Sequence, residues 1–140
     1  MQAEAANVVK EIEEIVGEGN LSTESIERYC YSRDFSFIDV EGEVMPDVIV
    51  WPTSAEQVSQ IVMLANRHKI PVVPRGAGTG DHRRAMPIRA GILLDLTTMN
   101  RILEIDQRNM YAVVEPFVSQ VELNLEAIKK GLRPNAFGAG

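Results

Sequence analysis

The chain has 140 residues, 45% of them hydrophobic and 24% charged, which excludes a disordered tail, a collagen-like repeat and a disulfide-stapled miniprotein. The single cysteine, Cys30, excludes an internal disulfide, and no apolar run reaches the roughly 18 residues that a membrane span needs. A net charge of −6 argues against general nucleic-acid binding, which depends on widespread positive charge.

The first fifteen residues carry acids through an apolar stripe and lack the unbroken apolar block of a signal peptide, so a cytoplasmic setting is expected. Residues 3–16 have Val8, Ile12 and Ile15 at helical spacing, and Gly17 supplies a stop. Ser22 is a candidate N-cap for a short second helix to Arg28. Residues 29–47 show no clean period and read as an irregular packed connector. Residues 48–51 form a short apolar run before Pro52, hence a strand. Thr53 and Glu56 have capping-box spacing ahead of a stripe at Val58, Ile61, Val62 and Ala65, which predicts a helix over 54–68. Val72 and Val73 make a second strand between prolines, so residues 48–74 read as strand–helix–strand with a parallel crossover. After a loop over 75–90, residues 91–96 read as a buried strand. Two more strands follow at 102–106 and 111–115, with a turn at 107–109. Ser119 caps a last helix to Lys130 with Val121, Leu125 and Ile128 on one face, ended by Gly131. The fold class expected is α+β (α/β-like), a small mixed sheet with a βαβ unit flanked by helices. No interdomain linker is visible, and the chain reads as one α/β unit.

Charge is unevenly spread. Residues 1–47 hold twelve acids against Lys10, Arg28 and Arg33, whereas residues 67–89 hold six Lys and Arg against Asp81 alone. This basic island surrounds Pro74-Arg75-Gly76-Ala77-Gly78-Thr79-Gly80, which follows a predicted strand. Three glycines in five residues let the backbone turn sharply and bring successive N–H groups close to an anion, with Arg75 adding positive charge and Thr79 a hydroxyl. The same glycines also suit a plain strand-exit loop. A Walker loop is excluded because no Lys follows Gly80. A Rossmann fingerprint fits at Gly76 and Gly78, and Asp95 lies where a ribose-binding acid would. However, Asp81 replaces the last glycine, and no helical pattern opens after Gly80. His68 and His82, the only histidines, have no metal-ligand spacing. Cys30 has no activating motif and is expected to be a small core residue. No nucleophile triad or paired carboxylates can be argued.

These residues resemble a family. The run Pro46-Asp47-Val48-Ile49-Val50-Trp51-Pro52-Thr53-Ser54-Ala55-Glu56-Gln57-Val58 is similar to the opening strand of the FAD-binding domain of vanillyl-alcohol oxidase and p-cresol methylhydroxylase relatives. Ile70-Pro71-Val72-Val73 and the glycine loop resemble the signature of FAD-linked glycolate oxidase subunits and D-lactate dehydrogenases. Leu94-Asp95-Leu96, Met99-Asn100-Arg101-Ile102, Val114-Glu115-Pro116 and Glu122-Leu123-Asn124 continue the likeness, which runs from about residue 25 to the end. The resemblance implies that the cofactor is FAD, lying extended along the domain. It further implies that Arg75, Gly76, Ala77, Gly78, Thr79 and Gly80, with Asp81 and His82, wrap its pyrophosphate through backbone N–H groups. The implied reaction is oxidation of a small 2-hydroxy acid, the cofactor carrying the chemistry.

The chain departs from the family at three places. Asp81-His82-Arg83-Arg84 replace a usual Leu-Ser-Gly-Gly, and Phe117 stands where Gly is common. The family's second FAD segment, with Gly-Gly-Asn, and its cap domain with the catalytic residues are not in this sequence. The expectation is therefore an N-terminal helical segment, 1–45, followed by a partial FAD-binding domain, 46–140. Such a chain is expected to be inactive alone and to self-associate or join a partner subunit. The alternative is a non-catalytic interaction subunit that keeps the fold without FAD.

Overall fold

The fold is taken from a computed structural model, which describes residues 2–34, 44–80 and 84–134, with side chains from residue 6 onward. The chain divides into two compact units, Met1–Thr98 and Met99–Gly140. The expectation of one α/β unit is therefore replaced by a description in two units.

The first unit holds α1 (Gln2–Val16), β1 (Leu21–Ser22), α2 (Ser25–Cys30), β2 (Val48–Val50), α3 (Ala55–His68), β3 (Val72–Arg75) and β4 (Ile92–Asp95). Its sheet has the order β1-β2-β4-β3, with β1 antiparallel and the other three strands parallel. The crossover from β2 through α3 to β3 is therefore parallel, as expected, but skips one position, which β4 fills. β2 and β4 are buried along their whole length, as parallel strands covered on both faces are. Alternation sends Val48, Val50, Ile92 and Leu94 to one face, where they pack with Val8, Ile12 and Val16 of α1 and Ile61, Leu64 and Ala65 of α3. Ile49 and Leu93, paired in register, are fully buried on the other face. Side-chain bonds tie the two helices: Gln57 Nε2 donates to Ile15 O at 3.2 Å, and Arg67 pairs with Glu11.

Gly91 sets up β4. Its φ is +85°, and a Cβ built there would run into the Pro71 carbonyl. Only glycine relieves both constraints, and the close approach lets Ile92 N donate to Pro71 O at 2.9 Å.

Several local expectations shift. Ser22 lies in β1, and α2 begins after Glu24. The cap of α3 is Ser54, one residue later than the Thr53–Glu56 spacing predicts: its hydroxyl accepts from Gln57 N, while Gln57 Oε1 accepts from Thr53 N, so no full capping box closes. Cys30 is exposed, not in the core, because α2 is a single short helix that buries none of its residues.

The second unit holds β5 (Ile102–Asp106), β6 (Tyr111–Val114) and α4 (Gln120–Lys129). β5 and β6 form an antiparallel hairpin whose turn is stitched by Asp106, which accepts from the backbone of Arg108 and Asn109. Those bonds to the charged form hold the Asp106 carboxyl below its ordinary range. Helix α4 opens with a full capping box between Ser119 and Glu122. Its predicted face of Val121, Leu125 and Ile128 exists but is exposed, and Ala127 is its one buried residue.

No helix among the described residues is long and apolar enough to cross a membrane.

Candidate functional site

β2, β4 and β3 run parallel, so their carboxyl ends share one edge of the sheet, the edge where open α/β sheets bind ligands. β3 leaves that edge at Arg75, which stands in register with Asp95, the last residue of β4. The next five residues turn away without regular structure. Gly78 lies in the left-handed region at φ +68°, where a β-carbon would be strained. Among the described residues, nothing accepts a hydrogen bond from the backbone amides of residues 76–80. Amides at the mouth of a parallel strand with no internal acceptor suit an oxyanion. Thr79 is exposed beside them, and Arg84 returns close to the loop: a Cβ on Gly80 would lie 3.6 Å from Arg84 Cβ.

The Arg75 side chain is held in place from below. Its guanidinium carbon sits 5.2 Å from the centre of the Tyr31 ring, and Nη1 donates to Arg33 O at 2.6 Å. It also lies across Gly78, where a Cβ would stand 2.6 Å from Nη2. Tyr31 in turn donates its hydroxyl to Asp95 Oδ2 at 2.5 Å, and the buried Asp95 accepts from Thr97 N through Oδ1 at 2.9 Å. Burial, then the bond to Asp95, pushes the Tyr31 hydroxyl above its ordinary pKa, so it stays a donor. Asp34 accepts from Ala85 N at 3.4 Å, on the returning limb of the loop.

The sequence-predicted residues Arg75, Gly76, Ala77, Gly78, Thr79 and Gly80 thus form one continuous turn at the sheet edge. Asp81 and His82 lie outside the described residues. The Rossmann alternative fails here: no helix starts after Gly80 among the described residues, and Asp95 is spent on Tyr31 and Thr97 rather than open to a ribose. No sequence signal marks Tyr31 as a site residue, since it lies in an aperiodic stretch, 64 positions from its acceptor. No group of three His, Cys, Asp or Glu among the described residues suits a metal ion.

The second unit has its own polar knot. Glu115 is buried and accepts from Arg101 N at 2.7 Å, Nε at 3.0 Å and Nη2 at 2.6 Å. Those bonds, with the guanidinium charge, hold the Glu115 carboxyl below its usual range. Arg101 O accepts from Glu115 N, so the pair staples the open end of the hairpin. Phe117 occupies the turn after β6, half-buried, with its N–H bonded to Met99 O.

A diphosphate fits the first of these two arrangements. It offers a run of amides with no acceptor among the described residues, a glycine where a side chain would collide with Arg75, and guanidinium groups nearby. Comparison with known proteins agrees. Residues 46–140 match the family model described as FAD binding domain. The chain is 31% identical over 126 residues to the glycolate oxidase subunit GlcD of Bacillus subtilis, covering 90% of this chain and 26% of that protein. It is 40% identical over 93 residues to D-lactate dehydrogenase of Anaerostipes hadrus, covering 66% of this chain and 20% of that protein. The crystal structure of p-cresol methylhydroxylase with substrate bound superposes with a TM-score of 0.78 at 29% identity, over 94% of this chain and 26% of that one. The chain spans about a quarter of the length of such relatives. Nothing in these matches supports the alternative of a fold kept without FAD.

Proposed function

This chain belongs to the FAD binding domain family, and on that premise we propose that it supplies the diphosphate-holding part of the flavin site of a 2-hydroxyacid oxidoreductase of the glycolate and lactate type. FAD is its cofactor. Residues 46–140 act as the partial FAD-binding domain and residues 1–45 as its helical lead-in. The observation that carries the reading is the turn over residues 76–80, whose amides meet no described acceptor at the carboxyl edge of the sheet.

The chain's residues bind and orient. The amides of Gly76, Ala77, Gly78, Thr79 and Gly80 would donate to the pyrophosphate of FAD, with Gly78 allowing the left-handed turn beneath the Arg75 guanidinium. Arg75 and Arg84 offset the two negative charges. Bound here, FAD would supply the hydride-accepting chemistry for oxidation of a 2-hydroxy acid, while these residues hold and orient its diphosphate. The acid–base groups of that reaction would come from a cap region or partner subunit that completes the site, and the setting proposed is cytoplasmic.

Titration with FAD, followed by quenching of flavin fluorescence, tests this. Gly78→Val is expected to weaken binding at least about tenfold, or ~1.4 kcal/mol. The Val side chain would displace the Arg75 guanidinium and strain the left-handed backbone. Circular dichroism should show the helices intact. Unchanged affinity in the variant would refute the assignment.

A further inference from the structure

The stretch from Tyr31 to Asp34 touches both limbs of the glycine loop. Tyr31 and the Arg33 carbonyl hold Arg75 where the loop begins, and Asp34 holds Ala85 where it returns. A loop with three glycines in five residues has wide conformational freedom when free, and ordering it on binding would weaken affinity. We infer that Tyr31 is a positioning residue for this loop: its ring carries the Arg75 guanidinium, its hydroxyl is anchored on Asp95, and together they hold the amides of residues 76–80 ready for a diphosphate. The inference deepens the flavin reading above and rests on it.

Four features argue for this role over ordinary packing. A planar guanidinium can lie over a ring and still donate in its own plane, which Arg75 does toward Arg33 O. The Tyr31 hydroxyl and Thr97 N occupy both oxygens of Asp95, the carboxylate in register with Arg75. Among the described residues no carboxylate pairs with Arg75, so its positive charge remains available to an anion. Finally, the guanidinium so held lies across Gly78, the one left-handed position of the turn, and restricts the flip of the very residue most able to move.

The test compares the 140-residue chain with Tyr31→Leu, Tyr31→Phe, Arg75→Gln and the Tyr31→Leu/Arg75→Gln double variant. FAD affinity is read by fluorescence quenching, and cleavage by trypsin at the Arg75–Gly76 bond is read by mass spectrometry without FAD. Tyr31→Leu should bind FAD about tenfold more weakly and be cut at Arg75 about tenfold faster. Tyr31→Phe keeps the ring and loses only the Asp95 bond, so it should lose about two- to fivefold in affinity. The double variant should bind no more weakly than Arg75→Gln, because both changes break the same contact. Wild-type affinity in Tyr31→Leu, or losses that multiply in the double variant, would overturn the inference. If Tyr31→Leu does not fold, Tyr31→Phe decides: affinity equal to wild type overturns the role of the hydroxyl anchor. A wild-type chain that takes up no FAD refutes the flavin reading itself. The cleavage rates then still decide whether Tyr31 holds the loop, and equal rates would show that it does not.

Discussion

The β2–β4 ladder and the β5–β6 ladder are written in the same alphabet of Val, Ile and Leu, yet their environments are opposite. Ile49, Val50 and Leu93 are wholly buried, whereas Leu103 is 57% exposed and Val113 42%. In the first unit, α1 and α3 cover one face of parallel strands that are sealed on both. In the second, an antiparallel hairpin meets its backbone hydrogen-bonding needs pairwise and leaves apolar side chains open. Apolar β-branched runs thus specify a strand, while the cover over it specifies a core.

Substitutions can break this contrast, beginning with the most damaging. Gly91→Val should abolish the cooperative urea transition of the first unit, because it combines a positive φ with a collision against backbone at Pro71. A variant that unfolds like wild type would show that β4 does not need the close approach. Leu93→Ala should cost about 2–5 kcal/mol by urea denaturation. Leu103→Ala, the same kind of truncation in the exposed hairpin, should cost less than about 0.5 kcal/mol. Equal losses would erase the distinction between the ladders.

The Arg101–Glu115 staple sharpens the contrast through pH. Glu115 has a folded pKa below its ordinary 4.5, chiefly because Arg101 bonds its charged form. A depressed carboxylate contributes stability above the unfolded value and loses it as pH falls through the folded one. The second unit should therefore weaken as pH falls from about 4.5, and Glu115→Gln should flatten that slope in chemical-shift-monitored unfolding. The smallest effect belongs to the open face of α4. Val121→Lys should change thermal stability by no more than about 0.5 kcal/mol, since Val121 is 68% exposed. A large loss would mean that this face is covered in solution.

Much of the fold was legible because its signals are local. The Ser119–Glu122 box, the hairpin turn at Asp106 and the helices α1 and α3 each depend on residues within a turn or two of one another. The structure departs from local expectation where local signals compete. Ser22 looked like a cap, but Leu21 and Ser22 pair with Val50 and Ile49, and Thr53 yielded the cap to its neighbour Ser54. The residue type of Cys30 favours a core position, but it lies on a helix that buries no residue.

The candidate site divides the same way. The glycine spacing after a strand marks the candidate turn, since glycine suits a left-handed position under a guanidinium, and that requirement is written in the residue itself. The insertion of β4 between β2 and β3, the lack of an acceptor for the loop amides among the described residues, and the placement of Tyr31 under Arg75 and against Asp95 were decided by tertiary structure alone. They depend on which distant segments share an edge of the sheet, and contacts across 42 or 64 residues leave no periodic trace along the chain.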